Sequence, residues 1–142
     1  MRWLHLKPSH LTTIRTLQRM KPAFVGSDLP KAEYAEVVEK VRRKEASFYQ
    51  VKGQGVSLSF VGQVIDGEYH IIAMVGAGLL EGASAIIERV KAAGFGAITF
   101  HTYRRGMRRI LNRVGFEQVS TVRDGNVLET RHRLELGEFN NG

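Results

Sequence analysis

The chain has no cysteine among its 142 residues. That absence excludes a disulfide framework, a thiolate metal site and an acyl-cysteine intermediate. Apolar runs are also short, and none approaches the roughly 20 residues that a membrane-spanning helix needs. The start of the chain carries Arg2, His5 and Lys7 within a short apolar stretch, so we do not expect a signal peptide there. We therefore expect a cytoplasmic protein that makes no membrane contact.

Positive charge is present in excess, with a formal net charge of +7 at pH 7. Such an excess attracts polyanions, which include nucleic acid, an acidic protein partner and a phosphorylated cofactor. Charge alone does not choose among them. The sequence has no recognised nucleic-acid-binding motif, and its basic clusters hold few aromatic residues. Nucleic acid is therefore the least favoured of the three.

Length and composition indicate a single domain. Apolar residues make up 43% of the chain, which supplies a sizeable core at this length. The end of the chain is polar and contains glycine. We predict one domain over residues 1–136 and a flexible tail over residues 137–142.

Hydrophobic periodicity predicts alternating strands and helices. The predicted strands cover residues 2–7, 47–51, 56–65, 68–75, 97–103, 117–123 and 127–136. The predicted helices begin near residues 11, 30, 83 and 105, with a loop over 21–26. A strand–helix–strand crossover in the middle requires a parallel pair, whereas Asp66-Gly67 and Asp124-Gly125 indicate hairpins. We therefore predict an α/β fold with a mixed, largely antiparallel central sheet and helices on both faces.

Glycines interrupt the chain after the strand predicted over residues 68–75. Gly76, Gly78 and Gly82 precede the helix that we expect to open at Ala83. Glycine lets the backbone approach a phosphate closely, and a helix N-terminus favours anions. The pattern predicts a phosphate-binding loop over residues 78–84.

The segment 104–116, RRGMRRILNRVGF, resembles the fourth-helix signature of the GNAT N-acetyltransferase family, Asn-x-x-Ala-x-x-Leu-Tyr-x-x-x-Gly-Phe. Ile110, Gly115 and Phe116 fit this signature. The order of strands and helices is similar to that family over nearly the whole chain. The resemblance implies a GNAT-like fold in which two parallel central strands splay apart, and a cofactor that is acetyl-CoA or another acyl-CoA.

Three positions of the signature differ. Arg104 stands for the asparagine, Met107 for the alanine and Leu111 for the tyrosine. In the family that tyrosine commonly protonates the departing coenzyme A thiolate, which Leu111 cannot do. Leu111 instead belongs to the apolar stripe of its helix, so we predict that it is buried core.

A second similarity concerns cofactor binding. In the family, the turn Gln/Arg-x-x-Gly-x-Gly/Ala binds the pyrophosphate of coenzyme A through its amides, and the aligned residues here are Leu79, Gly82 and Ser84. The resemblance also places a backbone N–H of the preceding strand at the thioester carbonyl. The cofactor-binding candidates are Met74, Val75, Gly76, Gly78, Gly82, Ala83, Ser84 and Arg104.

Catalytic candidates lie on the two strands that the resemblance expects to splay. His70 is on the first strand, on the same side as Ile72 and Met74 by alternation, while His101 and Tyr103 share a side of the second. An imidazole can act as a base near neutral pH, and Tyr103 could replace the missing acid. Each could equally be a structural residue. The five histidines show no metal-ligand spacing, so we expect no metal site.

These observations favour an acyl-CoA-dependent N-acyltransferase whose acceptor is an amine of a small molecule or protein. The alternative is a catalytically inert GNAT-fold binding or virion-assembly module, which Leu79 and Leu111 favour. The end of the chain also resembles small acetyltransferase-like proteins of short-tailed bacteriophages, some of which are virion components. Many proteins of this fold dimerise, so the resemblance allows a homodimer.

Overall fold

The computed structural model describes residues 1–137. Its strands are β1 (Arg2–Leu6), β2 (Ser47–Gly53), β3 (Val56–Ile65), β4 (Glu68–Ala77), β5 (Ala97–Thr102), β6 (Glu117–Asp124) and β7 (Val127–Glu135). Its α-helices are α1 (Leu11–Leu17), α2 (Pro30–Arg42), α3 (Leu79–Ala92) and α4 (Arg105–Arg113). The predicted tail, apart from Gly137, lies outside the described residues. No helix of the described part is long and apolar enough to cross a membrane.

The strands form one sheet in the order β1-β2-β3-β4-β5-β7-β6. Only β4 and β5 run parallel, joined by the α3 crossover, and the other neighbours are antiparallel. This arrangement confirms the predicted mixed, largely antiparallel sheet. It places the parallel pair at the centre, with hairpins on both sides.

Apolar side chains cover the two faces of the sheet separately. One core lies under α3 and α4 and includes Ile86, Ile98, Phe100 and Leu111. The other lies under α1 and α2 and is built from residues such as Leu17, which is fully buried. The predicted burial of Leu111 is confirmed, since only 1% of this residue is exposed.

Two predicted boundaries are wrong. Residues 21–26 were expected to form a loop, but a 3₁₀ helix runs over Gln18–Phe24 directly after α1, with Pro22 inside it. The helix predicted to open at Ala83 begins instead at Leu79. Gly78 adopts a left-handed conformation with φ of 72°, which ends the strand and starts the helix within one residue.

A bulge in β4 reverses part of the predicted alternation. Val61 of β3 pairs with Ala73 and Gly62 pairs with Ile71, so β4 carries an extra residue, Ile72, at this point. Ile72 packs in the core under α1 and α2, whereas Met74 packs in the core under α3 and α4. Strict alternation predicted that Met74 shares a side of the strand with His70 and Ile72. Because of the bulge, Met74 faces the opposite side.

Candidate functional site

The two parallel strands separate at the middle of the sheet. β4 and β5 pair only from Tyr69 with Ile98 to Ile71 with Phe100. Beyond Ile71, β4 continues to Ala77, and within residues 1–137 no strand pairs with it on the β5 side. The backbone groups along this edge are free to bind something other than a strand. The family resemblance implies that the thioester of an acyl-CoA lies in such an opening between parallel strands.

Two histidines meet where the strands separate. His70 Nε2 lies 2.9 Å from Nδ1 of His101, and the two rings are nearly parallel, with an angle of 13° between them. His70 Nδ1 lies 2.7 Å from Oγ1 of Thr99, the residue that pairs with His70 across the two strands. The parallel register therefore links these side chains into the continuous chain Thr99–His70–His101.

Burial keeps both imidazoles neutral. It lowers the pKa of His70 to about 4, and the neighbouring His101 lowers this pKa further. Burial also lowers the pKa of His101 below its ordinary value, although the carboxylates of Glu129 and Glu33 oppose this shift. Near neutral pH both rings are uncharged, so His101 can accept a proton.

A cavity of about 350 Å³ lies beside this pair, on the face of the sheet that α2 covers. Its size falls within the range of small-molecule sites. The wall combines apolar side chains with carboxylates, cations, the imidazole of His101 and the hydroxyl of Tyr103. It is lined by Phe24, Glu33, Glu36, Val37, Lys40, Gln63, Ile72, His101, Tyr103, Glu129 and Arg131.

Tyr103 lies in this cavity rather than in either core. Its hydroxyl oxygen is 2.8 Å from Glu33 Oε1 and 3.2 Å from Glu129 Oε1, and its single proton is shared between these two acceptors, with the shorter distance to Glu33. Burial raises the pKa of Tyr103, and the hydrogen bond to Glu33 raises it further. A hydroxyl in this setting gives up its proton less readily than a free tyrosine does.

The residues predicted to bind phosphate divide into two groups. Gly76 near the end of β4 and Gly78 directly before α3 adopt conformations that favour glycine, with φ of 138° and 72°. Gly82, Ala83 and Ser84 lie inside α3 rather than in a loop. The N–H of Gly82 already donates to the carbonyl of Gly78 at 2.8 Å, so it is not free for a ligand.

Gly82 and Ala83 are instead packing residues. A Cβ at Gly82 would lie 2.0 Å from Leu58 Cδ2, so glycine lets α3 approach β3 closely. Ala83 is 5% exposed and belongs to the core beneath α3. Ser84 is exposed and donates its hydroxyl to the carbonyl of Leu80.

The free amides at this end belong to Leu79, Leu80 and Glu81, which precede the first intrahelical hydrogen bond of α3. The predicted loop over residues 78–84 contains these three residues, but sequence reasoning did not single them out because it started the helix four residues late. Gly78, between an apolar strand and an apolar helix, was the signal for the earlier start. Glu81 is the one acidic residue in this first turn, and its charge competes with a bound anion.

The remaining candidates are spread around the opening. Met74 is buried under α3 and α4, while Val75 is half-buried and packs toward the other face.

Arg104 is exposed at the start of α4, where its backbone N–H donates to Oγ1 of Thr102. Glu68, the first residue of β4, accepts two hydrogen bonds from Arg133, which lower the pKa of its carboxyl. Within residues 1–137, no three histidine or acidic side chains come together as a metal-binding group.

Comparison with known proteins finds similarity in structure alone. No protein-family model matches the chain. No curated protein matches its sequence. Among solved structures, one named as an acetyltransferase of the GNAT family from Desulfovibrio desulfuricans is 14% identical, covers 96% of this chain and 99% of its own, and superposes with a TM-score of 0.60.

Two further structures extend the comparison. The aminoglycoside 6'-N-acetyltransferase from Enterococcus faecium is 10% identical, with a TM-score of 0.66, and the match covers 99% of this chain and 100% of that one. The protein yncA from Salmonella typhimurium, named as an acetyltransferase and solved with its cofactor acetyl-CoA, is 13% identical. Its TM-score is 0.60, and the match covers 99% of this chain and 96% of that one. The chain therefore has the fold of the GNAT acetyltransferases.

Proposed function

We propose that this protein is an acyl-CoA-dependent N-acyltransferase that acts on an amine. The observation that carries the proposal is the neutral His101, linked to His70 where β4 and β5 separate and lining the cavity under α2. A neutral imidazole in that place can take a proton from an amine nitrogen. The fold shared with acetyltransferases, one of them solved with acetyl-CoA, supports the same reaction class.

The residues around the opening fit an acyl-CoA. The free amides of Leu79, Leu80 and Glu81 would hold its pyrophosphate. Gly76 and Gly78, which lack a side chain, let the end of β4 lie close to the backbone of β3 and the turn before it. The unpaired edge of β4 beyond Ile71 would offer an N–H to the thioester carbonyl. When bound, acyl-CoA supplies an activated acyl group: an amide C–N bond forms, the C–S bond breaks, and one amine proton is lost as the thiol is released.

His101 acts as the base in this proposal. When Nδ1–H of His101 donates to Nε2 of His70, the Nδ1–H of His70 donates in turn to Oγ1 of Thr99. Both ring nitrogens of His70 and Nδ1 of His101 are then hydrogen-bonded, and Nε2 of His101 keeps a free lone pair. His70 is a positioning residue because it fixes this tautomer of His101. Tyr103 positions Glu33 by hydrogen bonding, and Glu129 lies within reach of the same hydroxyl proton.

An inert binding module is the second candidate. Leu111 fills the core at the position where the family's acid stands, and Glu81 places a negative charge beside the proposed phosphate site. Both observations are compatible with a fold that has lost its cofactor. Phage origin and a virion role rest on the sequence resemblance alone.

The decisive experiment compares wild type with His101→Asn in an assay of thiol release from acetyl-CoA with a panel of amines. We expect turnover to fall by about 10²–10⁴-fold while the Kd for acetyl-CoA, measured by calorimetry, stays nearly constant. His10→Asn, at an exposed histidine before α1, is the matched control and should keep full activity. Cofactor binding without turnover in the wild type would favour the inert binding module. The absence of binding at millimolar acetyl-CoA would refute the proposed N-acyltransferase function.

A further inference from the structure

Two of the three carboxylates that line the cavity under α2 form salt bridges, and the third does not do so within the described residues. Glu36 lies 3.8 Å from the ammonium of Lys40, and Glu129 lies 2.7 Å from the guanidinium of Arg131. Glu33 makes no salt bridge to any residue of the described chain. Three carboxylates and two cations line the cavity, so the carboxylates outnumber the cations by one, and Glu33 is the carboxylate without a paired cation among the described residues.

Glu33 also has an unsatisfied oxygen. Its Oε1 accepts the hydroxyl of Tyr103 at 2.8 Å. Its Oε2 is buried and has no hydrogen-bond partner within residues 1–137. A buried carboxylate oxygen without a donor is unfavourable, so this oxygen calls for a partner such as an ordered water, a cation or a ligand group. The pocket therefore lacks one hydrogen-bond donor, and the excess of carboxylates in its wall favours a cationic one.

We propose that Glu33 binds a cationic group of the acceptor, and that the acceptor class is amines carrying a second ammonium or guanidinium group. The nitrogen that attacks a thioester has to be uncharged, so it cannot also supply the lasting positive charge that Glu33 needs. A second cationic group meets this need, while the reacting nitrogen lies at His101. This inference rests on the proposed function for the reaction, but not for the cation site itself.

The rest of the cavity wall fits such a molecule. Phe24, Val37 and Ile72 provide apolar surface in the same cavity as Glu33 and His101, which suits an alkyl chain between two nitrogens. A volume of about 350 Å³ is at the small end of ligand sites and favours a short, flexible amine. An acidic acceptor is disfavoured, because the carboxylates of the wall outnumber its cations.

The test uses a matched pair of probes, 1,4-diaminobutane and 1-aminobutane, which differ by one ammonium group. Calorimetry on the full chain, with and without acetyl-CoA, gives the Kd of each probe, and thiol release gives kcat/KM. We expect the wild type to prefer the diamine by at least about tenfold. Glu33→Gln keeps the size of the side chain and its bond to Tyr103 but should reduce the preference below about threefold.

Glu39→Gln is the matched control. It removes one negative charge from the same helix at an exposed position outside the cavity, where Glu39 pairs with Arg42, and it should leave the preference unchanged. Equal binding of the two probes to the wild type, or a preference that survives Glu33→Gln, would overturn the inference. If Glu33→Gln fails to fold, the salt dependence of diamine binding to the wild type decides, since an ion pair must weaken with ionic strength. Diamine-selective binding without thiol release would uphold the cation site and refute the proposed reaction.

Discussion

His70 makes the stability of the protein depend on pH. Burial lowers its pKa in the folded state to about 4 from 6.5, so the unfolded chain binds a proton more tightly than the folded chain does. The free energy of unfolding is therefore fully retained above pH 6.5. It falls as the pH drops through the window from about 6.5 to about 4, by up to about 3 kcal/mol.

The prediction is checked by urea unfolding at pH 7 and pH 4.5. His70→Asn should weaken this pH dependence, because asparagine does not titrate, even if the variant is less stable at pH 7. His10→Asn, at an exposed site, should unfold with the wild-type pH dependence. An equal loss of stability in wild type and His70→Asn between the two pH values would show that other groups cause it.

The burial of Leu111 could be predicted from the local sequence. Its place in an apolar helical stripe predicted burial, and the structure buries it against the core that includes Ile86 and Phe100. The stripe is a local property, so no knowledge of the rest of the chain was needed. The same reasoning could not say which residue replaces the family's acid.

At the scale of elements, Gly82 controls how closely α3 packs on β3. A Cβ there would lie 2.0 Å from Leu58 Cδ2 and 3.3 Å from Val56 Cγ1. We expect Gly82→Ala to destabilise the protein by about 1–3 kcal/mol through overpacking, despite the roughly 1 kcal/mol gain in helix propensity. Chemical denaturation measures the change.

A double mutant separates crowding from other causes. Leu58→Ala removes the side chain that the new methyl group meets, so Gly82→Ala should become neutral or stabilising in that background. Ser84→Ala, on an exposed position of the same helix, is the control and should change stability little. If Gly82→Ala costs the same in both backgrounds, the close approach to Leu58 is not the reason for the glycine.

At the scale of the whole molecule, a cofactor that binds only the folded chain must stabilise it. At a concentration of about 100 times its Kd, acetyl-CoA should add about 2.7 kcal/mol to the free energy of unfolding. For a chain of this size that corresponds to a rise in Tm of about 5–10 °C. Differential scanning fluorimetry measures the shift.

Two control ligands distinguish a built site from general attraction to a chain of charge +7. Pantetheine lacks the phosphates and should stabilise the protein much less at the same concentration. Inorganic pyrophosphate lacks the pantetheine arm and should also give a smaller shift. A shift from pyrophosphate as large as that from acetyl-CoA would point to the net charge instead of the opening between β4 and β5.

The order of strands and helices could be derived from the sequence alone, because periodicity and turn residues are local. Asp66-Gly67 and the apolar run of β4 predicted a hairpin and a central strand, and the structure contains both. The side of the sheet on which Met74 packs could not be derived from the sequence. It depends on the bulge opposite Gly62, and a bulge is a property of two paired strands, not of one.

The sequence by itself determined the fold class, and it singled out His70, His101 and Tyr103 as separate candidates. Only the tertiary structure decided that His70 and His101 bond to each other, because their contact needs the register of two parallel strands 31 residues apart. Only the tertiary structure brought Glu33, 70 residues from Tyr103, into the same cavity. In the sequence Glu33 is an ordinary charge on the first turn of a helix. Its environment, with one oxygen bonded to Tyr103 and the other buried without a partner among the described residues, arises only when folding brings α2 beside the residue that follows β5.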